Sequence, residues 1–222
     1  MYEFKADIAI LLNITPDHLD RYGYEMQRYV DAKFRIVRNM TGTDSFIYSA
    51  DDEETVRQLA KMEIGARRLP FSQRRVEGLG AWRDKETLHF TVDAGEGWEM
   101  PVGELSLRGL HNVNNSMAAG LAGEVLQLPR EVIRASLHDF VGIPHRLELV
   151  GEVEGVRYIN DSKATNVDAV WYALESMKTP VVWIAGGTDK GNDYSALEGF
   201  VREKVHALVC LGVDNAKLRS AF

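Results

Sequence analysis

The segment INDSKATN, residues 159–166, brings an acid, a cation and two hydroxyl groups together in eight consecutive positions. Apolar residues before it, at 156–159, predict a short strand, and apolar residues after it recur at helical spacing over 167–177. The polar residues therefore lie in a loop at the carboxyl end of a strand, where open α/β sheets bind ligands. Its candidate functional side chains are Asp161, Lys163 and Thr165.

A second polar loop, NITPDHLDR at residues 13–21, directly follows an apolar run at 6–12 that predicts the first strand. It places Asp17, His18 and Asp20 close together. An imidazole beside carboxylates at the end of a strand can hold a divalent metal next to a phosphate. The alternative is that Asp17 caps a helical turn and that His18 is an ordinary surface residue.

Lys33 interrupts an apolar stripe in the helix that the pattern predicts over 24–39. It falls on the same helical face as Met26, Val30 and Val37, and a lysine that faces a core is unusual. Desolvation favours the neutral amine, which could act as a nucleophile or react with carbon dioxide to form a carbamate. The alternative is a side chain that runs along apolar surface and places its ammonium in solvent.

Three asparagines, Asn112, Asn114 and Asn115, stand at the start of a helix predicted over 111–127. Asparagine is a good helix N-cap, so capping by one of them is the simplest explanation. Three exceed what one cap requires, however, and carboxamides that both donate and accept suit the edge of a nucleobase.

Two further cations are candidates for phosphate binding. Arg146 follows Pro144-His145 at a predicted domain boundary, where its forked donors could bind a phosphate, although a surface residue in a linker is the default. Lys190 lies in the loop AGGTDKGN at 185–192, whose glycines allow close backbone approach. That loop matches neither G-x-G-x-x-G nor the Walker A pattern, so it is a weak phosphate loop.

Composition excludes several classes of protein. A net charge of −7 over 222 residues argues against non-specific binding to nucleic acids or anionic membranes. Cys210 is the single cysteine, which gives no disulfide framework and fits a reducing compartment. We find neither an apolar run long enough to span a membrane nor a signal-peptide pattern. We therefore expect a cytoplasmic protein, and a monomer, although the sequence does not determine the oligomeric state.

The spacing of elements predicts an α/β fold in two domains, 1–142 and 143–222. Strands and helices alternate up to residue 62, alternating residues between 66 and 107 predict a small antiparallel patch, and helices at 111–127 and 129–140 follow. Gly142 and Pro144 then interrupt the helical pattern. The second domain is predicted as a hairpin at 147–159 turning at Glu154-Gly155, helices at 167–178 and 194–203, strands at 180–185 and 205–211, and a helix from Asp214.

Taken in order, these motifs resemble those of the Mur ligase family. The matching segments are NITPDHLDR, AKFR, LHNVNN, PHRLE, INDSKATN and GGTDKG, which extend along nearly the whole chain. The DSKATN form is similar to that of the members that add D-glutamate. The resemblance implies that 1–142 is the back half of a P-loop-type central ATPase domain, and that 143–222 is the front half of a Rossmann-like C-terminal domain that binds the amino acid.

The resemblance also implies a reaction and a set of roles. ATP would phosphorylate the terminal carboxylate of UDP-N-acetylmuramoyl-L-alanine, and the amine of D-glutamate would displace phosphate to form an amide in peptidoglycan precursor synthesis. The implied roles are magnesium binding by His18 and by Lys33 as a carbamate, adenine contact by Asn112 and Asn115, ATP phosphate contact by Arg146, ribose contact by Asp161, contact with the transferred phosphate by Lys163, and contact with the D-glutamate carboxylates by Thr165 and Lys190.

Several parts of the family pattern are not found in this sequence. They are the N-terminal domain that holds the UDP group, the glycine-rich ATP loop, a second magnesium-binding carboxylate and a distal serine-containing segment. We therefore expect a fragment with weak nucleotide affinity, little or no ligase activity alone and an unmodified Lys33. The alternatives are a folylpolyglutamate synthase-like or cyanophycin-like amide ligase, against which DSKATN counts, and a non-catalytic binding module that retains the fold.

Overall fold

The computed structural model describes residues 3–93, 97–107, 109–187, 192–212 and 214–222. The chain forms two compact units, Met1–Phe140 and Val141–Phe222, which we call unit 1 and unit 2. Each unit combines helices with β-strands, so the predicted α/β class is confirmed.

Unit 1 is built on one six-stranded sheet in the order β1-β2-β3-β4-β5-β6. The first four strands pair in parallel, and the last three form an antiparallel meander. The strands are β1 Ile8–Leu11, β2 Ser45–Ser49, β3 Arg67–Ser72, β4 Gly80–Asp84, β5 Thr87–Thr91 and β6 Trp98–Pro101.

The antiparallel strands expected between residues 66 and 107 are present as β4 to β6, but β3 belongs to the parallel part of the sheet. Leu69 of β3 lies opposite Ile47 of β2, and both side chains are fully buried. The sequence of β3, RRLPFS, has nonpolar residues at three consecutive positions, 69–71, a short run that does not by itself indicate the direction of pairing. The direction of pairing is set by the neighbouring strand rather than by the pattern of β3 itself.

The helices of unit 1 are α1 Met26–Phe34, α2 Glu53–Leu59, α3 Leu110–Val125 and α4 Arg130–Asp139, with 3-10 turns at Leu19–Tyr22, Arg35–Val37 and Val102–Glu104. The helix predicted over 24–39 is shorter than expected. Tyr24 has a left-handed backbone, with φ of 60°, which is incompatible with a helical start there. After Phe34 the chain tightens into the 3-10 turn.

Small residues let α3 lie close to its neighbours in unit 1. A Cβ atom added to Gly120 would collide with the ring of Phe90, and one added to Gly123 would meet the side chain of Ile133. Because those two side chains belong to β5 and α4, the glycines allow α3 to pack against both the sheet and the next helix. The apolar, small-residue body of this helix therefore has a packing explanation.

Unit 2 contains two small sheets. β7 Glu148–Val153 and β8 Val156–Asn160 form the predicted antiparallel hairpin, and β9 Val181–Gly186 pairs in parallel with β10 Val205–Leu211. The helices are α5 Val167–Ser176, α6 Glu198–Lys204 and α7 Ala216–Ala221, with a 3-10 turn at Ser195–Leu197. The predicted order of strands and helices is confirmed, and the hairpin turns at Glu154-Gly155 through two left-handed residues.

Among the described residues no helix combines the length and apolarity that crossing a membrane requires; the longest of them, α3, has 16 residues.

Candidate functional site

In unit 2 the predicted loop lies at the carboxyl end of β8, as expected. Asn160 ends the strand and its side-chain oxygen accepts a hydrogen bond from the Ser162 N–H at 3.1 Å. A turn follows, in which the Ala164 N–H donates to the Asp161 carbonyl at 2.8 Å. Asn166 closes the loop as the N-cap of α5, where its Oδ1 accepts from the Ala169 N–H at 2.9 Å.

The segment that carries Arg146 lies directly against this loop. The Lys163 N–H donates to the His145 carbonyl at 3.1 Å, and the Leu147 N–H donates to Asp161 Oδ1 at 3.1 Å. His145 and Leu147 both have left-handed backbones, with φ of 66° and 48°. Non-glycine residues in this region cost about 1–3 kcal/mol each and persist only where the surrounding contacts hold them. The backbone on both sides of Arg146 is therefore fixed against the Asp161–Lys163 turn.

The electrostatics of this site follow from partial burial. Burial raises the pKa of the Asp161 carboxyl above its usual value of 3.8, and the smaller opposing effects are the Leu147 N–H bond and the charge of Arg146. The Arg146, Lys163 and Thr165 side chains are exposed. Among the described residues, neither Arg146 nor Lys163 forms an ion pair. Two exposed cations thus lie on the turn and the loop that hold this half-buried acid, and the charge of Arg146 acts on it.

Lys190, a predicted substrate-binding residue, lies outside the described residues, together with the rest of the stretch 188–191. The glycines before it have a structural explanation. A Cβ atom on Gly186 would clash with the Leu211 carbonyl, and Gly187, with φ of 117°, donates its N–H to that same carbonyl at 3.1 Å. The close backbone approach expected at this loop therefore serves the junction of β9 and β10.

A large open cavity in unit 2, of about 1540 Å³, is bordered by the 160–167 loop, β8, β9 and α5. Ligand pockets usually enclose about 300–1,000 Å³. This cavity is larger because its walls are the flanks of strands, on which Tyr158, Val182 and Ile184 remain more than half exposed. Its size therefore reflects uncovered apolar strands, and the chemistry is confined to the polar loop at its edge.

In unit 1 the corresponding position is the carboxyl end of β1 to β3. Asp52 joins two of these strand ends, because its Oδ1 accepts from the Ile14 N–H at 3.1 Å while its Oδ2 caps α2 at Thr55. His18 follows in a left-handed conformation with φ of 54°; its side chain is exposed and its Nε2 lies 3.6 Å from an Asp17 carboxylate oxygen. His18 itself occupies the N-cap position of the 3-10 turn and makes no side-chain capping hydrogen bond there.

The prediction that Lys33 faces the core is wrong. The side chain is exposed, and its Nζ lies 5.1 Å from the centroid of the Tyr29 ring. The buried face of α1 is formed by Tyr29, Val30 and Phe34. Lys33 lies beside this face, and its long side chain extends over the Tyr29 ring into solvent. The alternative, an ammonium in solvent, is correct, and the argument from burial for a neutral amine no longer applies.

The asparagines at the start of α3 do not cap it. Gly109, with φ of 94°, occupies the N-cap position without a side-chain hydrogen bond. Asn112 is buried and Asn115 is exposed, whereas Asn114 accepts a hydrogen bond from Gln73 Nε2. Helix capping therefore does not explain why three asparagines stand at the start of α3. Of the three, Asn115 is the one that is exposed to solvent.

Sequence reasoning missed two polar residues at the strand ends of unit 1. Asp51, which follows β2, accepts hydrogen bonds from the Ser72 hydroxyl at 2.7 Å and from the Gln73 N–H at 2.6 Å. Gln73, which follows β3, contacts Asn114 at the start of α3. The available signal was an acid and an amide shortly after apolar strands. This signal becomes informative only when β3 is known to belong to the parallel part of the sheet.

Both units are thus α/β structures that place polar and charged loops at the carboxyl ends of strands. A family model described as the Mur ligase middle domain matches residues 1–123, and one described as the Mur ligase glutamate ligase domain matches residues 145–222. The chain belongs to the Mur ligase family.

Two curated relatives show what the chain is similar to within this family. The chain is 49% identical over 221 residues to the UDP-N-acetylmuramoylalanine--D-glutamate ligase of Christiangramia forsetii, covering 99% of this chain and 49% of that protein. It is 50% identical over 222 residues to the protein of the same name from Bacteroides fragilis, covering 100% of this chain and 50% of that protein. The chain therefore spans about half the length of these relatives.

Solved structures support the fold. The MurF protein from Acinetobacter baumannii superposes with a TM-score of 0.75 at 20% identity, covering 98% of this chain and 49% of that one. A bifunctional folylpolyglutamate synthase/dihydrofolate synthase with Mn, AMPPNP and L-glutamate bound has a TM-score of 0.64 at 19% identity, covering 96% of this chain and 49% of that one. At these identities the likeness concerns the fold alone.

Proposed function

We propose that the chain supplies part of an ATP-dependent ligase that adds D-glutamate to UDP-N-acetylmuramoyl-L-alanine in peptidoglycan precursor synthesis. The observation that carries this proposal is the identity of 49–50% to D-glutamate ligases along the whole chain. In the reaction a carboxylate oxygen of the muramoyl substrate bonds to the γ-phosphorus of ATP and ADP leaves. The nitrogen of D-glutamate then bonds to the acyl carbon, with release of a proton and of inorganic phosphate.

The unit 2 loop would act on the phosphates and on the amino acid. Lys163 and Arg146, two exposed cations that form no ion pair among the described residues, would stabilise negative charge on the transferred phosphoryl group and on ATP. Asp161 would accept hydrogen bonds from the ribose hydroxyls through Oδ2, because Oδ1 is already engaged by Leu147. Thr165 would bind a carboxylate of D-glutamate, together with Lys190.

In unit 1, Asn112 and Asn115 would contact the edge of adenine, which suits carboxamides because they donate and accept at once. Asn115 is open to solvent, and the Asp51–Gln73–Asn114 hydrogen bonds hold the first turns of α3 against the strand ends. These hydrogen bonds hold the start of α3 although no asparagine occupies its N-cap position.

His18 would bind magnesium. Mg²⁺ in phosphate-transfer sites takes one or two protein ligands and completes its shell with waters and substrate phosphates. Although the described residues hold no group of three or more potential metal ligands, the exposed His18 beside the Asp17 carboxylate fits such a shared site. When bound, the ion would supply positive charge to the transferring phosphate.

A carbamate on Lys33 stays a prediction that rests on the family resemblance alone, because the side chain is not buried. The intact mass of the magnesium-bound, full-length gene product would show the added carbon dioxide, and an unmodified Lys33 there would contradict the prediction. In the 222-residue chain we expect plain lysine. A cytoplasmic location, consistent with a single unpaired cysteine, and a monomeric state are likewise predictions.

The proposal is tested by phosphate release from the full-length product of the gene that encodes this chain, measured with each substrate omitted in turn. Lys163→Ala should lower the rate at least about 100-fold, whereas Lys178→Ala, an exposed lysine after α5, should leave it unchanged. The 222-residue chain alone should show little or no turnover. Activity with L-glutamate and a folate acceptor instead of the muramoyl substrate would favour the folylpolyglutamate synthase-like alternative, and no activity with any acceptor would favour a binding module.

A further inference from the structure

The side chain of Asn160 joins the two segments that carry Arg146 and Lys163. Its Nδ2 donates to His145 Nδ1 at 2.7 Å and lies 3.5 Å from Glu148 Oε2, while its Oδ1 accepts from the Ser162 N–H. One half-buried amide thus contacts both the 145–148 turn and the 161–163 loop. Asn160 was not among the candidate site residues of the sequence analysis, because it ends the strand that precedes the loop.

The orientation of the Asn160 amide follows from its partners. The backbone N–H of Ser162 can only donate, so it must face the Asn160 oxygen, and the amide nitrogen must then face His145. His145 Nδ1 therefore faces both the Asn160 amide nitrogen, at 2.7 Å, and Glu148 Oε2, at 3.5 Å. Asn160 and Glu148 together hold the position of the His145 ring.

The Glu148 side chain also stabilises the 145–148 turn. Its Oε2 accepts a hydrogen bond from the His145 N–H at 2.7 Å. The turn is strained, since His145 and Leu147 are both left-handed, and Arg146 lies between them. Besides these side-chain contacts, the turn is joined to the loop by the Lys163 N–H bond to the His145 carbonyl, by the Leu147 N–H bond to Asp161 and by the β7–β8 pairing that sets Glu148 opposite Asn160.

We propose that Asn160, assisted by Glu148, is a positioning residue that sets the spacing of Arg146 against Lys163 so that both cations meet one polyphosphate group. The bond from the Lys163 N–H to the His145 carbonyl brings the backbones of Lys163 and Arg146 close together, and an anion bound between two cations relieves the repulsion between like charges. The hydrogen bonds of Asn160 and Glu148 would therefore preorganise Arg146 and Lys163 for binding phosphate. This inference rests on the proposed function, because it takes the anion to be the triphosphate of ATP.

The loop offers an internal comparison for the test. Asn160 holds its first half, which carries Lys163, whereas Asn166 holds its second half, which carries Thr165, as the cap of α5. In the full-length gene product, Asn160→Ala should raise the KM for ATP about tenfold and change the KM for D-glutamate less than about twofold. Asn166→Ala should show the opposite preference. Arg157→Ala, an exposed neighbour in β8, is the control for the hairpin.

Conservative replacement separates positioning from general stability. Glu148→Gln retains an oxygen that can accept from the His145 N–H and should preserve most of the ATP affinity, whereas Glu148→Ala should weaken it like Asn160→Ala. In a double-mutant cycle, Asn160→Ala should have little further effect on the KM for ATP once Arg146→Met is present, because the first residue acts through the second. Additive effects would overturn the proposal.

Amide hydrogen exchange tests the network without activity. In the 222-residue chain, Asn160→Ala should accelerate exchange at Lys163 and Leu147 about fivefold or more and leave Ala169, at the α5 cap, unchanged. Unchanged exchange at Lys163 and Leu147 would overturn the network itself. If the unaltered full-length product lacks ATP- and D-glutamate-dependent phosphate release, the proposed function fails and the phosphate role of the two cations fails with it, whereas the exchange result still decides whether Asn160 joins the two segments.

Discussion

The strands of the two units are similarly apolar, yet only those of unit 1 are buried. Leu69, Phe71 and Leu88 are completely inaccessible in the sheet of unit 1, whereas Ile184 and Leu211 in the parallel pair of unit 2 are 65% and 66% exposed. The six strands of unit 1 enclose a core with α3 across them, whereas the most buried apolar side chains described in unit 2, Leu174, Leu197 and Leu218, lie outside its strands. An apolar strand therefore contributes to stability only in proportion to what covers it.

The largest expected effect is a contrast between two identical substitutions. Leu88→Ala in β5 should lower the free energy of unfolding of unit 1 by about 2–5 kcal/mol, because it leaves a cavity in a closed core. Leu211→Ala in β10 should cost less than about 1 kcal/mol. Site-resolved hydrogen exchange under urea can follow each unit separately, and equal losses would break the comparison.

Polar contacts stabilise unit 2 where the burial of apolar strands does not. Those of Lys204 are the clearest example. Its ammonium donates to the carbonyls of Leu174, Glu175 and Met177, each at 2.9 Å, and so closes the carboxyl end of α5. Lys204→Met keeps the aliphatic stem but leaves these carbonyls without the charge, and should cost about 1–3 kcal/mol.

The matched control for Lys204 is Arg202→Met, since Arg202 is an exposed cation on the same helix. It should change the urea midpoint very little. If Lys204→Met also left the urea midpoint unchanged, the carboxyl end of α5 would be held by packing alone and Lys204 would not stabilise unit 2.

Helix caps offer a smaller test, because each unit has one that also shapes its polar loop. Asp52→Ala removes the α2 cap and the bond to Ile14, and Asn166→Ala removes the α5 cap. Each should cost about 0.5–2 kcal/mol, with the greater loss at Asp52 because it makes two backbone bonds. Thermal unfolding of the two variants checks the order, and a greater loss at Asn166 would contradict it.

The smallest expected effects are changes in the free energy of unfolding with pH, which have opposite signs in the two units. Hydrogen bonds from Thr41, chiefly from its backbone N–H, lower the pKa of Asp44 below 3.8, with help from Lys5. Its contribution to unit 1 is present above pH 3.8 and is lost as the pH falls through the folded-state pKa. Burial raises the pKa of Asp161, so ionisation destabilises unit 2 as the pH rises above 3.8.

Substitution with asparagine separates the two carboxylates. Asp44→Asn should weaken unit 1 near neutral pH and have little effect below the folded-state pKa of Asp44. Asp161→Asn should reduce the pH dependence of unit 2 above pH 3.8. Urea unfolding at several pH values, followed by exchange in each unit, provides the measurement. A common pH profile for both units would remove this part of the contrast.

The sequence predicted most elements and failed where a neighbour decides the outcome. The hairpin turn at Glu154-Gly155 and the loop after β8 were predictable from local patterns. The direction of β3 was not, because the residue pattern of this strand does not specify how its neighbour runs. The position of the Lys33 side chain was also wrong, since a long flexible stem beside the buried face can carry the ammonium over the Tyr29 ring into solvent.

What the sequence determined by itself was the order of strands, loops and helices and the motifs that define the Mur ligase family, because turn chemistry and residue spacing are local properties. Only the tertiary structure decided that β3 is parallel, that Lys33 lies in solvent and that Asn160 connects the Arg146 turn to the Lys163 loop. These features depend on hydrogen bonds and packing between residues distant in the chain, for which a single sequence has no spacing rule. The INDSKATN loop illustrates both: its residue types were evident from the sequence, and the partners that hold them were evident only from the fold.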